Sequence, residues 1–293
     1  MIHIRQIDHI KTVASFIAQH NQVAKQHVGY CGTDAEELMD TLLHDFSEGP
    51  VEHSWLAAYD DERLVGVLGL DITSEDQEAE IWGPFIEHEN WGQIALQLWE
   101  SLLANIPFTL RSAYGFYNLH NQSAQAFMQK LGAQREGEHL LLSFHHKDAL
   151  SSLHVEASIE ALDSLHEREF ISLHDEVFKQ AYYDGITIVE RQDQCNQVYC
   201  AVQDNKLLGY VYVEANPEHG DGDIHFIAVN EAARGKGMGT VLLQRALIFL
   251  TSHESIQQIT LCVSLDNHGA ISIYERAGFK RKHHLISYKV HIQ

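Results

Sequence analysis

The sequence of 293 residues repeats itself weakly, and this repeat limits the possible folds more than any other feature. Residues 64–66 match residues 207–209 at an offset of 143, and the apolar run at 81–86 matches 224–229 at the same offset. Later matches, such as Asn121 with Asn267, have an offset of 146. Ordered self-similarity of this length indicates two copies of one structural unit. The sequence therefore predicts two domains, residues 1–146 and 153–293, joined near residues 147–152.

Helical and strand-like patterns alternate within the copies. Apolar residues recur at helical spacing in five segments, residues 7–17, 38–46, 159–165, 173–178 and 241–250. Strand-like runs lie at residues 198–203, 207–214, 223–229, 259–264 and 285–292. A further short helix at 270–277 ends before Gly278, which suits a helix C-terminus. The second copy therefore has the predicted order α-α-β-β-β-α-β-α-β, an α/β fold of the α+β type.

The charge balance restricts the partners of this chain. Lys and Arg number 20 against 41 Asp and Glu, which gives a formal net charge of −21. Such an acidic surface repels phosphate backbones, so we expect no nucleic-acid partner. The N-terminus lacks a basic region followed by an apolar stretch, and no apolar run approaches the roughly 20 residues that span a bilayer. We expect no membrane partner and a cytoplasmic location.

Cysteine and histidine spacings predict neither disulfides nor a metal site. The four cysteines, Cys31, Cys195, Cys200 and Cys262, include no Cys-x-x-Cys pair, and we expect reduced, mostly buried thiols. The 21 histidines include no His-Glu-x-x-His spacing. We therefore expect no metal ligands.

A glycine-rich loop at residues 230–240 carries the strongest chemical signal. It follows a strand-like run, contains Gly235, Gly237 and Gly239 beside two cationic side chains, and leads into an amphipathic helix. Backbone N–H groups that converge at a helix N-terminus bind anions, so the loop is predicted to hold a pyrophosphate. A glycine-rich turn without ligand stays an alternative. A dinucleotide loop lacks its third glycine, since Thr240 stands there, and Gly237 after Lys236 excludes a P-loop.

Two motifs resemble the GNAT N-acetyltransferases. Residues 234–239 (RGKGMG) resemble the family's Q/R-x-x-G-x-G/A signature, and residues 267–279 resemble N-x-x-A-x-x-x-Y-x-x-x-G-F. The resemblance covers residues 153–293, and the repeat extends the fold to 1–146. It implies two tandem GNAT-fold domains, each a mixed, mostly antiparallel splayed sheet flanked by helices. It also implies that acetyl-CoA is bound by Arg234, Gly235, Lys236, Gly237, Met238, Gly239, Thr240 and Asn267.

The resemblance further implies direct attack of a primary amine on the thioester in a ternary complex. The thioester carbonyl then needs a hydrogen-bond donor, which the family supplies as a backbone N–H at the bulged end of the strand, here about Val229. Tyr274 matches the family's general acid for the thiolate leaving group. A core aromatic for Tyr274 and a helix cap for Asn267 remain the structural alternatives.

The general base stays open between three residues and a water relay. Asp223 matches the position of the acidic residue that some family members use, although a strand-start aspartate also suits a turn. His225 lies two residues on, and an imidazole titrates near neutral pH. Glu214 ends the neighbouring strand. Tyr182 and Tyr183 lie where the family has its acceptor-side loops, and we interpret them as surface aromatics without a role.

The first copy departs from the signature, which predicts a degenerate domain. Its loop at residues 87–93 keeps only Gly92, has no Lys or Arg, and carries Glu87 and Glu89. Trp91 is predicted at or beside the position of Arg234, and Met128 stands at the position of Tyr274. A pyrophosphate needs converging N–H groups and positive charge, so we expect acetyl-CoA in the second domain alone.

Two classes of function fit this sequence. The first is an acetyl-CoA-dependent N-acyltransferase acting on a small-molecule or peptide amine, as a monomer or homodimer. The second is a non-catalytic acyl-CoA-binding or regulatory module. The presence of Tyr274 and Asn267 favours the enzyme, because binding of CoA alone does not require the tyrosine.

Overall fold

The computed structural model describes residues 1–44, 46–47, 51–107, 109–148, 159–179 and 181–292. The described strands are β1 (Ile2–Gln6), β2 (Trp55–Asp60), β3 (Arg63–Thr73), β4 (Glu78–Ile86), β5 (Ser112–Asn118), β6 (Gln134–His145), β7 (Ile159–Ala161), β8 (Asn196–Gln203), β9 (Lys206–Asn216), β10 (Asp221–Val229), β11 (Gln258–Ser264) and β12 (Lys280–His291). The described helices are α1 (Ile10–Asn21), α2 (Ala35–His44), α3 (Val51–Ser54), α4 (Trp91–Asn105), α5 (Gln122–Lys130), α6 (Glu167–Val177), α7 (Gly185–Glu190), α8 (Met238–Ser252) and α9 (His268–Arg276).

The chain forms two compact units. Unit 1 comprises Met1–His139 and His283–Gln293, and its strands follow the order β1-β2-β3-β4-β5-β12. Unit 2 comprises Leu140–Lys282, and its strands follow the order β6-β11-β10-β9-β8-β7. Within the units β4 pairs with β5 and β10 with β11 in parallel, while the other described strand pairs are antiparallel. The predicted fold class, a mostly antiparallel sheet with flanking helices in each domain, is confirmed.

Each unit takes a closing strand from the other sequence repeat. β12 belongs to the second repeat, yet it pairs with β5 from Leu285 opposite Asn118 to His291 opposite Ser112. β6 closes the first repeat, yet it lies beside β11. The boundaries at 1–146 and 153–293 follow the repeat and do not show this exchange, because both closing strands have the same apolar pattern. Residues 149–158 lie outside the described ranges.

The prediction of a helix at residues 159–165 is wrong. Ile159–Ala161 is the short strand β7, which pairs with β8, and the helix begins at Glu167. The i, i+3 spacing of apolar residues misleads here because a strand of three residues is too short to show alternation. Leu165, counted on the predicted apolar face, has 76% of its surface exposed.

Both faces of the unit 2 sheet are covered. On one face α8 and α9 pack against Val211, Val213 and Ile224. On the other face α6 and α7 pack against Tyr210, Tyr212 and Phe226. Helix α8 buries the predicted apolar stripe, which comprises Leu242, Leu243, Ala246, Leu247 and Leu250. Burial of each leucine contributes about 1.5 to 3 kcal/mol, so this stripe fixes the helix against the sheet.

No described helix is long and apolar enough to cross a membrane. Among the described residues, no three His, Cys, Asp or Glu side chains are grouped to hold a metal ion.

Candidate active site

The sheet of unit 2 opens between β10 and β11. These two parallel strands pair only from Asp221 to Asp223 of β10, opposite Gln258 to Thr260 of β11. β10 continues to pair with β9 as far as Val229, opposite Gly209. The edge of β10 beyond Asp223 therefore faces a gap on its β11 side.

Backbone N–H groups point into this gap. Asn230 N–H donates to the carbonyl of Leu208, so these residues form a hydrogen-bonded pair of the antiparallel ladder. Such pairs alternate with non-hydrogen-bonded pairs, and Val229 and Ile227 occupy the latter positions. Their N–H groups are therefore directed away from β9, towards the open edge.

The glycine-rich loop joins β10 to α8 at one end of the gap. Gly235 has φ of 75° and Gly237 has φ of 82°, values that favour glycine strongly over other residues. Among the residues that the structure describes, none accepts a hydrogen bond from the backbone N–H groups of residues 235–239. A Cβ atom built on Gly235 or Gly237 would meet no atom within 4 Å. The loop thus presents five consecutive N–H groups beside an open space at a helix N-terminus.

Two cationic side chains flank these N–H groups. Arg234 Nε donates to the Val229 carbonyl over 3.1 Å, and Lys236 Nζ donates to the Ala232 carbonyl over 3.0 Å. Both side chains are exposed. Helix α8 begins with Met238 and Gly239, and Thr240 N–H donates to the Gly237 carbonyl. The local charge and the helix dipole together favour an anion at this position.

Tyr274 and Asn267 both lie on α9 or at its start. A Cβ atom built on Gly239 would lie 3.5 Å from Ile273 Cδ1, so α9 is adjacent to the N-terminus of α8. The Tyr274 hydroxyl forms no hydrogen bond with any described residue, and burial raises its pKa to about 12. It is therefore protonated and able to donate at neutral pH. Asn267 Oδ1 accepts from Ala270 N–H over 3.2 Å, which makes Asn267 the N-cap of α9.

A β-bulge brings two neighbouring residues of β10 onto one face. The pairing of β10 with β9 shifts between Ile224 and Phe226, so that His225 is the extra residue. The bulge was predicted near Val229, and the structure places it four residues earlier. His225 and Phe226 consequently both face the side that α6 and α7 cover.

Glu214 lies directly beside His225. Its Oε2 is 3.3 Å from His225 Nε2, while Oε1 accepts from Arg191 Nη2 at 3.1 Å and from Tyr212 Oη at 2.5 Å. Burial favours the neutral carboxyl, but the interactions with His225, Tyr212 and Arg191 outweigh it and lower the pKa of Glu214 to about 2. Glu214 is therefore a fixed carboxylate at neutral pH, oriented towards the imidazole.

Asp223 is held by a different contact. It lies opposite Glu214 across the β9–β10 ladder and accepts a hydrogen bond from the Thr260 hydroxyl of β11. Burial raises the pKa of Asp223 above its ordinary value, although the positive field of His225 and the Thr260 hydrogen bond oppose this. The three predicted base residues are thus brought together on one face of the sheet.

Sequence reasoning missed two members of this group and gave a third no role. The Tyr182 hydroxyl forms a hydrogen bond with His225 Nδ1. The Arg191 guanidinium lies 4.4 Å from the Tyr183 ring centroid while it binds Glu214. The sequence pattern places Tyr212 only within an apolar, strand-like run. The adjacent tyrosines Tyr182 and Tyr183 after α6 were the sequence feature that could have indicated this group. Nothing in the sequence pattern indicated that the Arg191 side chain contacts Glu214 of β9.

Unit 1 repeats this architecture without the loop. β4 and β5 also separate after three paired residues, Glu78–Glu80 opposite Ser112–Tyr114. The connection from β4 to α4 has four residues, 87–90, whereas 230–237 connect β10 to α8. Since α4 and α8 have the same length, Trp91 matches Met238 and not Arg234 as the sequence comparison suggested. Unit 1 therefore lacks the glycine-rich loop that connects β10 to α8 in unit 2.

The candidate catalytic positions of unit 2 also differ in unit 1. Met128 is the seventh residue of α5 and Tyr274 is the seventh residue of α9, as predicted from the offset of 146. Met128 is buried. At the offset of 143, Trp82 occupies the position of the bulge residue His225.

Comparisons with known proteins identify this architecture. A family model described as "Acetyltransferase (GNAT) family" matches residues 159–279, which include the open edge, the loop and α9. Residues 159–279 therefore resemble a GNAT-family domain. Among solved structures, a GCN5-related N-acetyltransferase from Sphaerobacter thermophilus gives a TM-score of 0.72 at 17% identity, and the match covers 100% of this chain and 96% of that one.

A second solved structure supports the tandem arrangement of GNAT folds. A tandem GNAT protein from the clavulanic acid biosynthesis pathway gives a TM-score of 0.65 at 14% identity, covering 99% of this chain and 98% of that one. Identities this low show the fold alone. Both units therefore have the GNAT fold.

Curated relatives match only part of the chain. The mycothiol acetyltransferase of Rhodococcus jostii is 31% identical over 94 residues, which are 31% of this chain and 30% of that protein. The mycothiol acetyltransferase of Streptomyces avermitilis is 31% identical over 81 residues, 28% of this chain and 26% of that protein. The matched segment thus spans less than a third of these relatives, which are acetyltransferases by name.

Proposed function

We propose that unit 2 is an N-acyltransferase that moves an acetyl group from acetyl-CoA to a primary amine by direct attack in a ternary complex. The observation that carries this proposal is the set of five N–H groups at residues 235–239, which have no acceptor among the described residues, in a loop where Gly235 and Gly237 border open space. The match of residues 159–279 to the GNAT family model, which is named for acetyltransferases, supports the reaction class.

The loop residues fit the pyrophosphate of acetyl-CoA. N–H groups of Gly235, Gly237 and Gly239 are placed to donate to phosphate oxygens, and Arg234 and Lys236 add positive charge. Met238 and Thr240 belong to the first turn of α8 and orient the remaining donors. Asn267 contributes indirectly, because its cap fixes the start of the helix that carries Tyr274.

The open edge of β10 fits the acyl end. Acetyl-CoA supplies an activated thioester, and its carbonyl oxygen becomes an oxyanion when the amine attacks. The N–H groups of Val229 and Ile227 face the gap and are free to donate to the acyl arm, with Val229 assigned to the oxyanion. Tyr274 is protonated and has no hydrogen-bond partner among the described residues, so we assign it to proton donation at the departing sulfur.

We assign the general base to His225. Asp223 already accepts from Thr260, and Glu214 has a pKa of about 2, too low for removing a proton from an ammonium ion. His225 has a side chain that is 19% exposed, and the Glu214 carboxylate can stabilise the imidazolium that forms. Glu214 therefore acts as a positioning residue and Asp223 as part of the surrounding polar group.

The degenerate domain is part of the same proposal. Unit 1 lacks the loop, a lysine or arginine between β4 and α4, and the tyrosine on α5. We assign acetyl-CoA binding to unit 2 alone. A non-catalytic acyl-CoA-binding module would explain the loop but not the hydroxyl of Tyr274, which has no hydrogen-bond partner among the described residues. This residue therefore favours the enzyme.

Thiol release from acetyl-CoA tests the activity. Purified protein is incubated with acetyl-CoA and a panel of polyamines, aminoglycosides, arylalkylamines and lysine peptides, and free CoA is followed with a thiol reagent. We expect amine-dependent release with at least one class and none with the Tyr274→Phe, His225→Gln double variant. Calorimetric binding of acetyl-CoA without thiol release from any amine would favour the binding module instead.

A further inference from the structure

The loop between α6 and α7 is anchored to α6 directly after Tyr182. His174 Nε2 donates to the Tyr183 carbonyl over 2.9 Å, and His174 is itself fixed by Tyr210 Oη at 2.6 Å from Nδ1. Asp175 Oδ1 accepts from Gly185 N–H over 2.9 Å, and Asp184 caps α7. The backbone next to Tyr182 is thus held by buried and partly buried contacts.

Tyr182 itself is 61% exposed, and its hydroxyl reaches inward to His225 Nδ1. The ring packs against Tyr183 at 4.8 Å and Phe226 at 5.2 Å between ring centroids. The side chain therefore links the exposed surface of the loop to a partly buried imidazole.

The hydrogen-bond partners define the state of the imidazole. The Glu214 carboxylate lies 3.3 Å from His225 Nε2, although no hydrogen bond of good geometry joins the two atoms. A carboxylate can only accept, so it favours a proton on the nearer nitrogen, and we infer the tautomer of neutral His225 that has its lone pair on Nδ1. The charged or titratable groups facing the imidazole are Tyr182, Tyr183, Tyr212, Glu214 and Asp223. Arg191 acts through Glu214. The Nδ1 lone pair is thus covered by the Tyr182 hydroxyl.

We propose that Tyr182 is the acceptor-facing member of a Tyr182–His225–Glu214 proton relay. The inference rests on the proposed function. As the ammonium group of the acceptor loses a proton, its N–H bond breaks and an O–H bond forms at Tyr182 Oη. The original Tyr182 O–H bond breaks at the same time, and its proton binds His225 Nδ1. The amine is left neutral with a lone pair for the thioester carbonyl, and imidazolium is paired with the Glu214 carboxylate.

The relay also makes Tyr182 a determinant of which amine acceptors are preferred. The acceptor must bring its ammonium group to the hydroxyl of Tyr182, whose side chain is largely exposed. An acceptor with an apolar or aromatic body next to a primary ammonium group could pack its body on the exposed ring of Tyr182. We therefore assign arylalkylamines and similar amphiphilic amines as the preferred class of the panel.

The first test needs no acceptor and examines His225 in the whole protein. Long-range ¹H–¹⁵N spectra of histidine-labelled protein at pH 7.5 report the tautomer, and the resonance is assigned by its loss in His225→Gln. We expect protonated Nε2 and hydrogen-bonded, unprotonated Nδ1. Tyr182→Phe should move the Nδ1 signal, whereas Tyr199→Phe on the opposite face of the sheet should not. A protonated Nδ1, or a signal indifferent to Tyr182→Phe, would overturn the relay.

The second test uses the most active amine of the panel. Tyr182→Phe should lower kcat by about 10- to 100-fold, as for a group that assists proton transfer, with the KM for acetyl-CoA unchanged. The loss should shrink as pH rises towards the pKa of the acceptor ammonium, because the amine is then already neutral. A kcat equal to or above that of the parent protein would contradict the relay. Tyr182 would then only shield His225 from solvent. If no amine releases free CoA, the proposed function is wrong. The NMR spectra then still test the hydrogen bond between Tyr182 and His225.

Discussion

Tyr117 Oη donates a hydrogen bond to the Gly83 carbonyl over 2.9 Å, across the place where β4 and β5 separate in unit 1. Both residues lie three positions beyond the last paired residues of their strands. Tyr117 is fully buried, so its ring occupies the opening that unit 2 keeps between β10 and β11. The matching residue in unit 2 is Val263, which is much smaller. Pro84, at the position of Ile227, also lacks an N–H for this edge.

This bridge predicts asymmetric binding. A calorimetric titration with acetyl-CoA should give one site per chain. In unit 1 the Tyr117 ring fills the opening between β4 and β5, and the glycine-rich loop is missing. Crystals soaked with acetyl-CoA should show ordered ligand at residues 235–239 only. Two equivalents per chain, or ligand against β4, would contradict the assignment of unit 1 as degenerate.

Loss of the Tyr274 hydroxyl should affect turnover and little else. Tyr274→Phe keeps the ring contact with Phe279, at 6.1 Å between centroids, and removes a hydroxyl that has no partner among the described residues. We expect unchanged unfolding free energy, unchanged affinity for acetyl-CoA, and a fall in kcat of about 10- to 1000-fold. Steady-state kinetics with the best amine measure this, and an unchanged kcat would assign Tyr274 to the core alone.

Glu80 should make the stability of the protein fall as the pH rises. Burial, with a smaller contribution from Asp71, raises the pKa of Glu80 to about 8. The unfolded chain releases this proton near pH 4.3, so between about pH 4.5 and 8 the folded state holds a proton that the unfolded state lacks. Glu80→Gln should remove this dependence and raise the unfolding free energy at pH 7.5 by up to about 4 kcal/mol in urea titrations, since each pH unit between the two pKa values corresponds to about 1.4 kcal/mol.

Glu78 provides the matched control for this measurement. It lies two residues earlier on the same strand, where hydrogen bonds from Ser112 and Tyr114 outweigh burial and lower its pKa. Glu78→Gln should therefore not stabilise the protein at pH 7.5. Equal effects of the two substitutions would show that the pKa of Glu80 is not raised in the folded protein.

Much of the fold was predictable from the sequence, since long amphipathic patterns such as α8 and the repeat itself follow directly from side-chain periodicity. The exchange of β6 and β12 was not predictable, because strand patterns do not specify which copy of a sheet a strand joins. The loop at 230–240 was recognisable from glycine spacing, and Gly235 and Gly237 indeed have positive φ. The contacts of Arg191 and Tyr182 were not, because they depend on where two loops turn in space.

The central claim is that the loop of unit 2 binds the pyrophosphate of acetyl-CoA. Lys236→Glu reverses one exposed charge beside the five N–H groups and leaves both positive-φ glycines in place. Lys206→Glu makes the same change at the exposed β8–β9 turn of the same unit and serves as the control. Calorimetry with acetyl-CoA at fixed ionic strength compares both variants with the parent protein. We predict that Lys236→Glu raises Kd by about tenfold or more while Lys206→Glu stays within about twofold. Equal affinities for the two variants would contradict binding at this loop.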